Sequence, residues 1–177
     1  MSEEAYYEVF KEISYGLYLV TSIMDDRMNG QIVNTVLQVT ASPPQFAVII
    51  NRNNLTHEYI SKSSVFGVSI LSQDAPLTFI GLFGFRSGRD VDKLSQVNWV
   101  KGVTGSPLVT DYSIGVMEVR VNTRTDVGTH TIFVGEIADA RALGTGRPMT
   151  YEYYHMNLKG KTAKNAPTFN PSSKSSN

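Results

Sequence analysis

The sequence predicts a mainly-β domain, an antiparallel barrel with short helical insertions. Three features carry that expectation. β-rich runs recur along the chain, at residues 15–23, 29–44, 46–50, 65–71, 113–124 and 130–142. The stretches with helical spacing between them are short. Turn signals separate neighbouring runs, at Asn29-Gly30, Pro43-Pro44 and residues 126–128. Many strands with little helix bury their apolar faces most simply by closing on themselves, which also removes open sheet edges.

Taken in order, residues 3–13 read as an amphipathic helix. Tyr6, Val9, Phe10 and Ile13 fall at 3.6-residue spacing, and Glu3 and Glu4 sit in the first turn, where the helix dipole favours them. Residues 15–23 form a strand that meets a hairpin at 24–30, where Asn29-Gly30 tolerates positive φ. Residues 29–44 then run as one strand, rich in β-branched side chains. Its first face, Val33, Thr35, Leu37, Val39 and Ala41, is mostly apolar and suits a core. Its second face, Ile32, Asn34, Val36, Gln38 and Thr40, alternates aliphatics with amides and a hydroxyl. Such a face fits a flat amphipathic ligand; a strand face meeting water is the plainer alternative.

Pro43-Pro44 turns the chain into a fully apolar strand at 46–50, the third of three consecutive antiparallel strands. A helix over 57–62 follows, with Thr56 as its cap. A strand at 65–71, a helix starting near Ala75-Pro76 and a glycine-broken loop at 81–90 come next. Residues 90–94 make a helical turn, and Trp99 lies in irregular chain. Two long strands, 113–124 and 130–142, complete the barrel around the turn at 126–128. Residues 1–169 are taken as one domain, large enough to bury about 70% of its unfolded surface. The serine-rich residues 170–177 are expected to be disordered.

Composition excludes several classes of function. Lysine and arginine total 16, as do aspartate and glutamate, which argues against a generic binder of nucleic acid or membrane surfaces. No opening segment resembles a signal peptide and no apolar run reaches the length of a membrane span, so a cytoplasmic protein is expected. The chain holds no cysteine, hence no disulfide, thiolate nucleophile or iron–sulfur ligand. His57, His130 and His155 share no ligand spacing, and no metal site is expected.

Two loops carry the chemistry. In residues 51–56, NRNNLT, Arg52 supplies a permanent planar charge, and Asn51, Asn53 and Thr56 supply donors ahead of a helix N-terminus. In FRSGRD, Arg86, Ser87 and Gly88 can form an anion nest, with Lys93 one turn on. Either loop alone could be a solvated surface. Together, beside a ligand-like strand face, they point to a phosphorylated and partly aromatic cofactor. His130 opens a strand and is either a satisfied structural residue or a hydrogen-bond donor to a reduced ring. Tyr153, Tyr154 and His155 precede a basic arm that either straps the barrel or closes over a neighbouring subunit's ligand.

The motifs NG–N–QVT–PP, NRNNLT, FGFRSGRDVDK, Gly105-Ser106-Pro107 and THTIFVGEI occur in the order found in flavin reductase-like proteins. The chain therefore resembles that family of the FMN-binding split-barrel superfamily from about residue 6 to residue 168. Its ending, YYHMNLKGKTAKNAPTF, looks most like the flavin reductase portion of high-molecular-weight rubredoxins. The resemblance implies an antiparallel Greek-key split barrel and a homodimer with FMN at the subunit interface. It further implies electron transfer from NADH or NADPH to free flavin, ferric iron or a rubredoxin-like protein. No fused rubredoxin is expected in a chain without cysteine.

The residues matching the family's flavin strand are Asn34, Thr35, Val36, Gln38, Val39 and Thr40. Those matching its phosphate loops are Asn51, Arg52, Asn53, Thr56, Arg86, Ser87 and Lys93. His130 matches the histidine near the flavin and nicotinamide. No Rossmann glycine fingerprint is present, in keeping with nicotinamide binding in an open cleft. A non-enzymatic FMN carrier reduced by a partner protein, and a split barrel holding haem or pyridoxal phosphate, are the competing readings.

Overall fold

The computed structural model describes residues 3–10 and 12–170. The elements run α1 (Glu3–Phe10), β1 (Tyr18–Met24), β2 (Arg27–Val33), β3 (Val36–Ala41), β4 (Pro44–Asn51), α2 (Leu55–Ser63), β5 (Val65–Leu71) and α3 (Leu77–Gly84). There follow a 3₁₀ turn at Leu94–Gln96, β6 (Trp99–Lys101), β7 (Pro107–Val109), β8 (Ser113–Val127), β9 (His130–Ala142) and α4 (Tyr151–Met156). Of the tail expected to be disordered, Asn170 alone falls within the described residues.

The main sheet has seven strands in the order β2-β1-β5-β8-β9-β4-β3, and every pairing is antiparallel. This is the mainly-β barrel with short helices that the sequence predicts. Its two faces bury separate clusters. Val20, Val48, Ile50, Phe66, Val68, Val119 and Phe133 converge with Ile60 of α2. Leu19 and Leu71 pack instead with Phe79, Ile80 and Phe83 of α3 and with Met149 and Tyr154 near α4.

The expected strand at 29–44 is two strands at opposite edges of this sheet. β2 pairs with β1 up to Val33, opposite Tyr18. Two residues later the backbone of Thr35 accepts from the Ile49 N–H of β4 at 3.3 Å, and its hydroxyl donates to the Ile49 carbonyl at 3.2 Å. The chain thus crosses from one edge of the sheet to the other at Asn34, and the ring closes there. The crossing inverts the alternation. Val36 packs inward, while Leu37 and Val39 are 49% and 47% exposed. β2 and β3 are therefore not neighbours, and the run of three consecutive antiparallel strands does not form.

Asn29-Gly30 is not the hairpin turn. The turn is Asp25-Asp26, with Asp25 at φ 54, which a short polar side chain tolerates. Gly30 lies within β2 opposite Thr21, where a Cβ would come within 2.9 Å of the threonine methyl. Other differences are local. α2 starts two residues earlier than expected, with Asn54 and not Thr56 at its N-cap. α3 runs on through Gly84, because burial of Phe79, Ile80 and Phe83 outweighs the low helix propensity of glycine. Trp99 belongs to a short hairpin, β6–β7.

Candidate functional site

A cavity of about 410 Å³ opens where β2, the start of α2, the loop after α3 and the C-terminal segment meet. That volume falls among small-molecule sites. Its wall includes Asn29 and Ile32 of β2, Asn34 at the crossing, Asn51, Asn53, Asn54 and Thr56 around the first turn of α2, and Phe83 of α3. Arg86, Ser87, Gly88 and Lys93 follow α3, and residues 161–167 form the remaining wall. The two loops singled out in the sequence are thus brought together.

Buried Asn29 joins them. Its Nδ2 donates to Thr56 Oγ1 at 2.8 Å. On its other side it meets Gly88, where a Cβ would overlap Asn29 Oδ1. Only glycine lets the loop approach this closely. Arg89 adds an exposed ion pair to Glu58 of α2 at 3.2 Å, worth little in water. Around α2, Asn51 Oδ1 accepts from the Asn53 N–H at 3.0 Å, and Asn54 Oδ1 accepts from Asn165 Nδ2 at 2.8 Å. The N-terminal end of α2 faces the cavity and favours a negative group there.

Lys93 is 4% exposed. Its ammonium donates to the carbonyls of Gly30 and Arg86 and lies 5.5 Å from the Phe83 ring centroid. It has no carboxylate within ion-pair distance among the described residues. Burial pushes its pKa down to about 8. Asn34 is also 4% exposed, and its Oδ1 is the one buried side-chain polar atom without a hydrogen-bond partner among the described residues. Such an atom costs about 1–3 kcal/mol unless something supplies a donor. A buried cation, a helix N-terminus and an orphaned acceptor on one cavity fit a ligand with an anionic end and a hydrogen-bond donor.

The C-terminal segment covers the chain's own cavity, as a strap over the barrel. α4 begins with Thr150 capping Tyr153 at 3.1 Å. Beyond it, Tyr154 donates to the Lys161 carbonyl at 2.9 Å, and Gly160 sits so close to the Tyr154 ring that a Cβ would overlap it. His155 donates from Nδ1 to the Gly160 carbonyl at 2.9 Å, and burial lowers its pKa. The strap's Thr168 accepts from Asn34 Nδ2 at 2.8 Å.

Seven of the expected cofactor residues line the cavity: Asn34, Asn51, Asn53, Thr56, Arg86, Ser87 and Lys93. The others lie outside its wall. Thr35 and Val36 are tied into the barrel, and Gln38, Val39 and Thr40 stand on the exposed strand β3. Arg52 lies within charge range of His57 and Asp126, whose pKa values its charge helps to lower. The larger causes there are burial of His57 and the Thr131 hydroxyl bonded to Asp126 at 2.7 Å. His130 has both ring nitrogens engaged, Nε2 with the Asn165 carbonyl at 3.1 Å and Nδ1 with Thr129 Oγ1 at 2.8 Å. A carbonyl only accepts, so Nε2 carries a hydrogen and the ring holds the strap. Asn29, Asn54 and the strap residues are additions from the structure. An amide inside a strand was the available signal for Asn29.

No helix among the described residues is long and apolar enough to cross a membrane. No group of three or more potential metal ligands occurs among them.

A family model described as a flavin reductase like domain matches residues 10–160. The chain is 46% identical over 157 residues to a high molecular weight rubredoxin of Moorella thermoacetica, covering 89% of this chain and 69% of that one. It is 47% identical over 162 residues to a ferric-chelate reductase (NAD(P)H) of Archaeoglobus fulgidus, covering 92% and 96%. Among solved structures, the NADH:FAD oxidoreductase SgcE6 of Streptomyces globisporus superposes with a TM-score of 0.75 over 84% of this chain and 88% of that one. At 24% identity that likeness speaks to the fold.

Proposed function

The chain belongs to the flavin reductase-like family and is a flavin-dependent NAD(P)H oxidoreductase; from that premise we propose that its flavin is FMN, held in the cavity beneath the strap. The observation that carries this is one cavity lined both by Lys93, whose buried ammonium has no counter-charge among the described residues, and by Asn34, whose buried Oδ1 has no hydrogen-bond partner among them. FMN offers both complements, a terminal phosphate and a ring N–H. When bound, the flavin supplies the redox chemistry, taking a hydride from NAD(P)H and passing electrons onward.

The protein's part is to bind and orient. Lys93, Arg86, Ser87 and the N-terminal end of α2 with Asn51, Asn53 and Thr56 hold the phosphate end. Asn34 receives a donor at the other end. Phe83 and Ile32 give the cavity an apolar wall that excludes water. His130 acts through Asn165, keeping the strap over the cavity, and is a positioning residue in this reading.

The exposed Leu37 and Val39 of β3 support a two-fold dimer in which this edge strand is covered. In that assembly Gln38, Val39 and Thr40 reach the ligand from the interface side, while Thr35 and Val36, tied into the barrel, fix the start of the strand. Arg52 receives no phosphate contact within one subunit. Electron acceptors are ferric iron, free flavin or a rubredoxin-like protein; the names of the two relatives above support the first and the last. A cytoplasmic setting, where NAD(P)H is held, belongs to the same proposal.

Cofactor released from purified protein should co-elute with FMN and not FAD. Anaerobic mixing with NADH or NADPH should bleach the oxidised flavin's visible band, and sedimentation should give a dimer. A stoichiometric FAD, haem or pyridoxal phosphate would reject the cofactor assignment.

A further inference from the structure

Asn34 points one end of its amide at the strap and leaves the other without a partner among the described residues. What fixes that orientation is a run of hydrogen bonds that starts in α4. The Gly160 carbonyl can only accept, so His155 Nδ1 carries the hydrogen and, in the neutral ring, Nε2 is an acceptor. Thr162 Oγ1 lies 3.5 Å from that nitrogen and 2.6 Å from Tyr151 OH. Donating to His155, Thr162 accepts from Tyr151. Tyr151 OH lies 3.0 Å from Thr168 Oγ1, so with its own hydrogen committed to Thr162 it accepts from Thr168. Thr168, its hydrogen committed to Tyr151, can accept only from the Asn34 amide nitrogen, at 2.8 Å. Every hydroxyl donates once and accepts once, and the run has one consistent direction. Asn34 Nδ2 is thereby bound to the strap, and the buried Oδ1 is the end of the amide left to accept from a ligand.

The donors are also held in place. The Tyr151 ring meets Tyr15 edge-on at 6.0 Å and His155 edge-on at 4.3 Å, which restricts where its hydroxyl can lie. Asn34 cannot move far, because its neighbours Val33 and Thr35 are bound to β1 and β4, next to opposite edges of the sheet.

The geometry points to Thr168 as a specificity-determining positioning residue: from the C-terminal strap it turns the Asn34 amide so that the cavity offers an acceptor, selecting a ligand that donates an N–H there. This rests on the flavin reading above and deepens it. In flavin the donor is N3–H of the pyrimidine ring, and a flavin methylated at N3 has none to give. The strap is then part of what the site recognises as well as a cover over it. A site that leaves a buried polar atom unpaired rejects such an analogue, because the desolvation of that atom goes uncompensated.

The test is equilibrium titration of flavin-free protein with FMN and with 3-methyl-FMN, in wild type, Thr168→Val and Thr168→Ser. Wild type should prefer FMN by about tenfold or more. Thr168→Val, nearly isosteric, should bind FMN about tenfold more weakly and lose most of the preference. Thr168→Ser keeps the hydroxyl and should stay within about twofold of wild type on both counts. Tyr151→Phe, which breaks the run one step further back while keeping the ring, should also reduce the preference, and it serves if Thr168→Val does not fold. A wild-type preference retained in Thr168→Val or in Tyr151→Phe would overturn the proposal, as would a wild type that binds both flavins equally. Failure of wild type to bind FMN at all would instead strike the cofactor reading.

Discussion

Glu118 and Lys93 are both buried charges, and their surroundings are opposite in kind. Glu118, fully buried in β8, accepts from the backbone N–H groups of Val103 and Thr104 at 2.7 and 2.9 Å and from the Thr104 hydroxyl. The loop closes on it so tightly that a Cβ at Gly102 would overlap the carboxylate. Its charge is matched by fixed donors, and it pins the β6–β7 hairpin to the barrel. Lys93 is nearly as buried but has two carbonyl acceptors, an aromatic face and no opposite charge among the described residues. A buried charge that the fold satisfies is an anchor. One that the fold leaves unneutralised waits for a counter-charge from outside, and here it does so on a cavity wall.

The comparison breaks or sharpens on substitution. Glu118→Ala strands two backbone donors and should cost about 3–5 kcal/mol in a denaturation experiment, while folded protein keeps its FMN affinity within about twofold. A tolerated Glu118→Ala would mean that the hairpin is not held by this carboxylate. Lys93→Met should do the reverse. Flavin-free protein should change little in stability, since loss of the contacts to the Gly30 and Arg86 carbonyls is offset by removing a buried charge that has no counter-charge among the described residues. FMN affinity should fall about 10- to 150-fold, the worth of a charge-assisted contact. A strongly destabilised Lys93→Met would place Lys93 with the anchors.

The pH response of Lys93 gives a smaller effect with a definite sign. Its folded pKa of about 8 lies below the ordinary 10.5, so between those values the unfolded chain binds more protons than the folded one. Flavin-free protein should therefore gain stability as the pH rises from about 8 towards 10.5, by at most about 1.4 kcal/mol per unit from this group. FMN binding needs the charged form, so affinity should decline over the same window. Melting curves and titrations at matched ionic strength would check both, and Lys93→Met should flatten both. Smallest of all is Arg52→Ala, for which a titration should show less than about threefold loss of FMN affinity, because Arg52 is not among the residues that line the cavity. A tenfold loss would place that charge at the phosphate after all.

What the sequence made legible was local. β5 matches the expected run at 65–71, and β9 the run at 130–142, since alternation and turn residues are properties of neighbouring positions. The polar loop residues Asn51, Asn53, Arg86, Ser87 and Lys93 were legible for the same reason, as donors gathered beside a helix start or a glycine. Arg52, one residue from two cavity residues, shows the limit: spacing says that a charge is near, while the side on which it emerges is set by β9 and its turn. The crossing at Asn34 was hidden because it depends on Ile49 and on Thr168, which lies 134 residues away. Asn29 was read as a turn because its place within β2 is set by pairing with Ser22 of β1 and by its bond to Thr56, neither of which is an adjacent residue.

The closure at Asn34 has a dynamic consequence. The two edge strands are joined there by a single stretch of backbone and not by a ladder, so the sheet can move about that point like a book about its spine. Amides on either side of Asn34 should exchange with solvent sooner than those of the inner strands β5 and β8. A ligand bound at the spine would slow that exchange first where the two covers meet, and the width of the gap between β2 and β3 would be set by what the cavity holds.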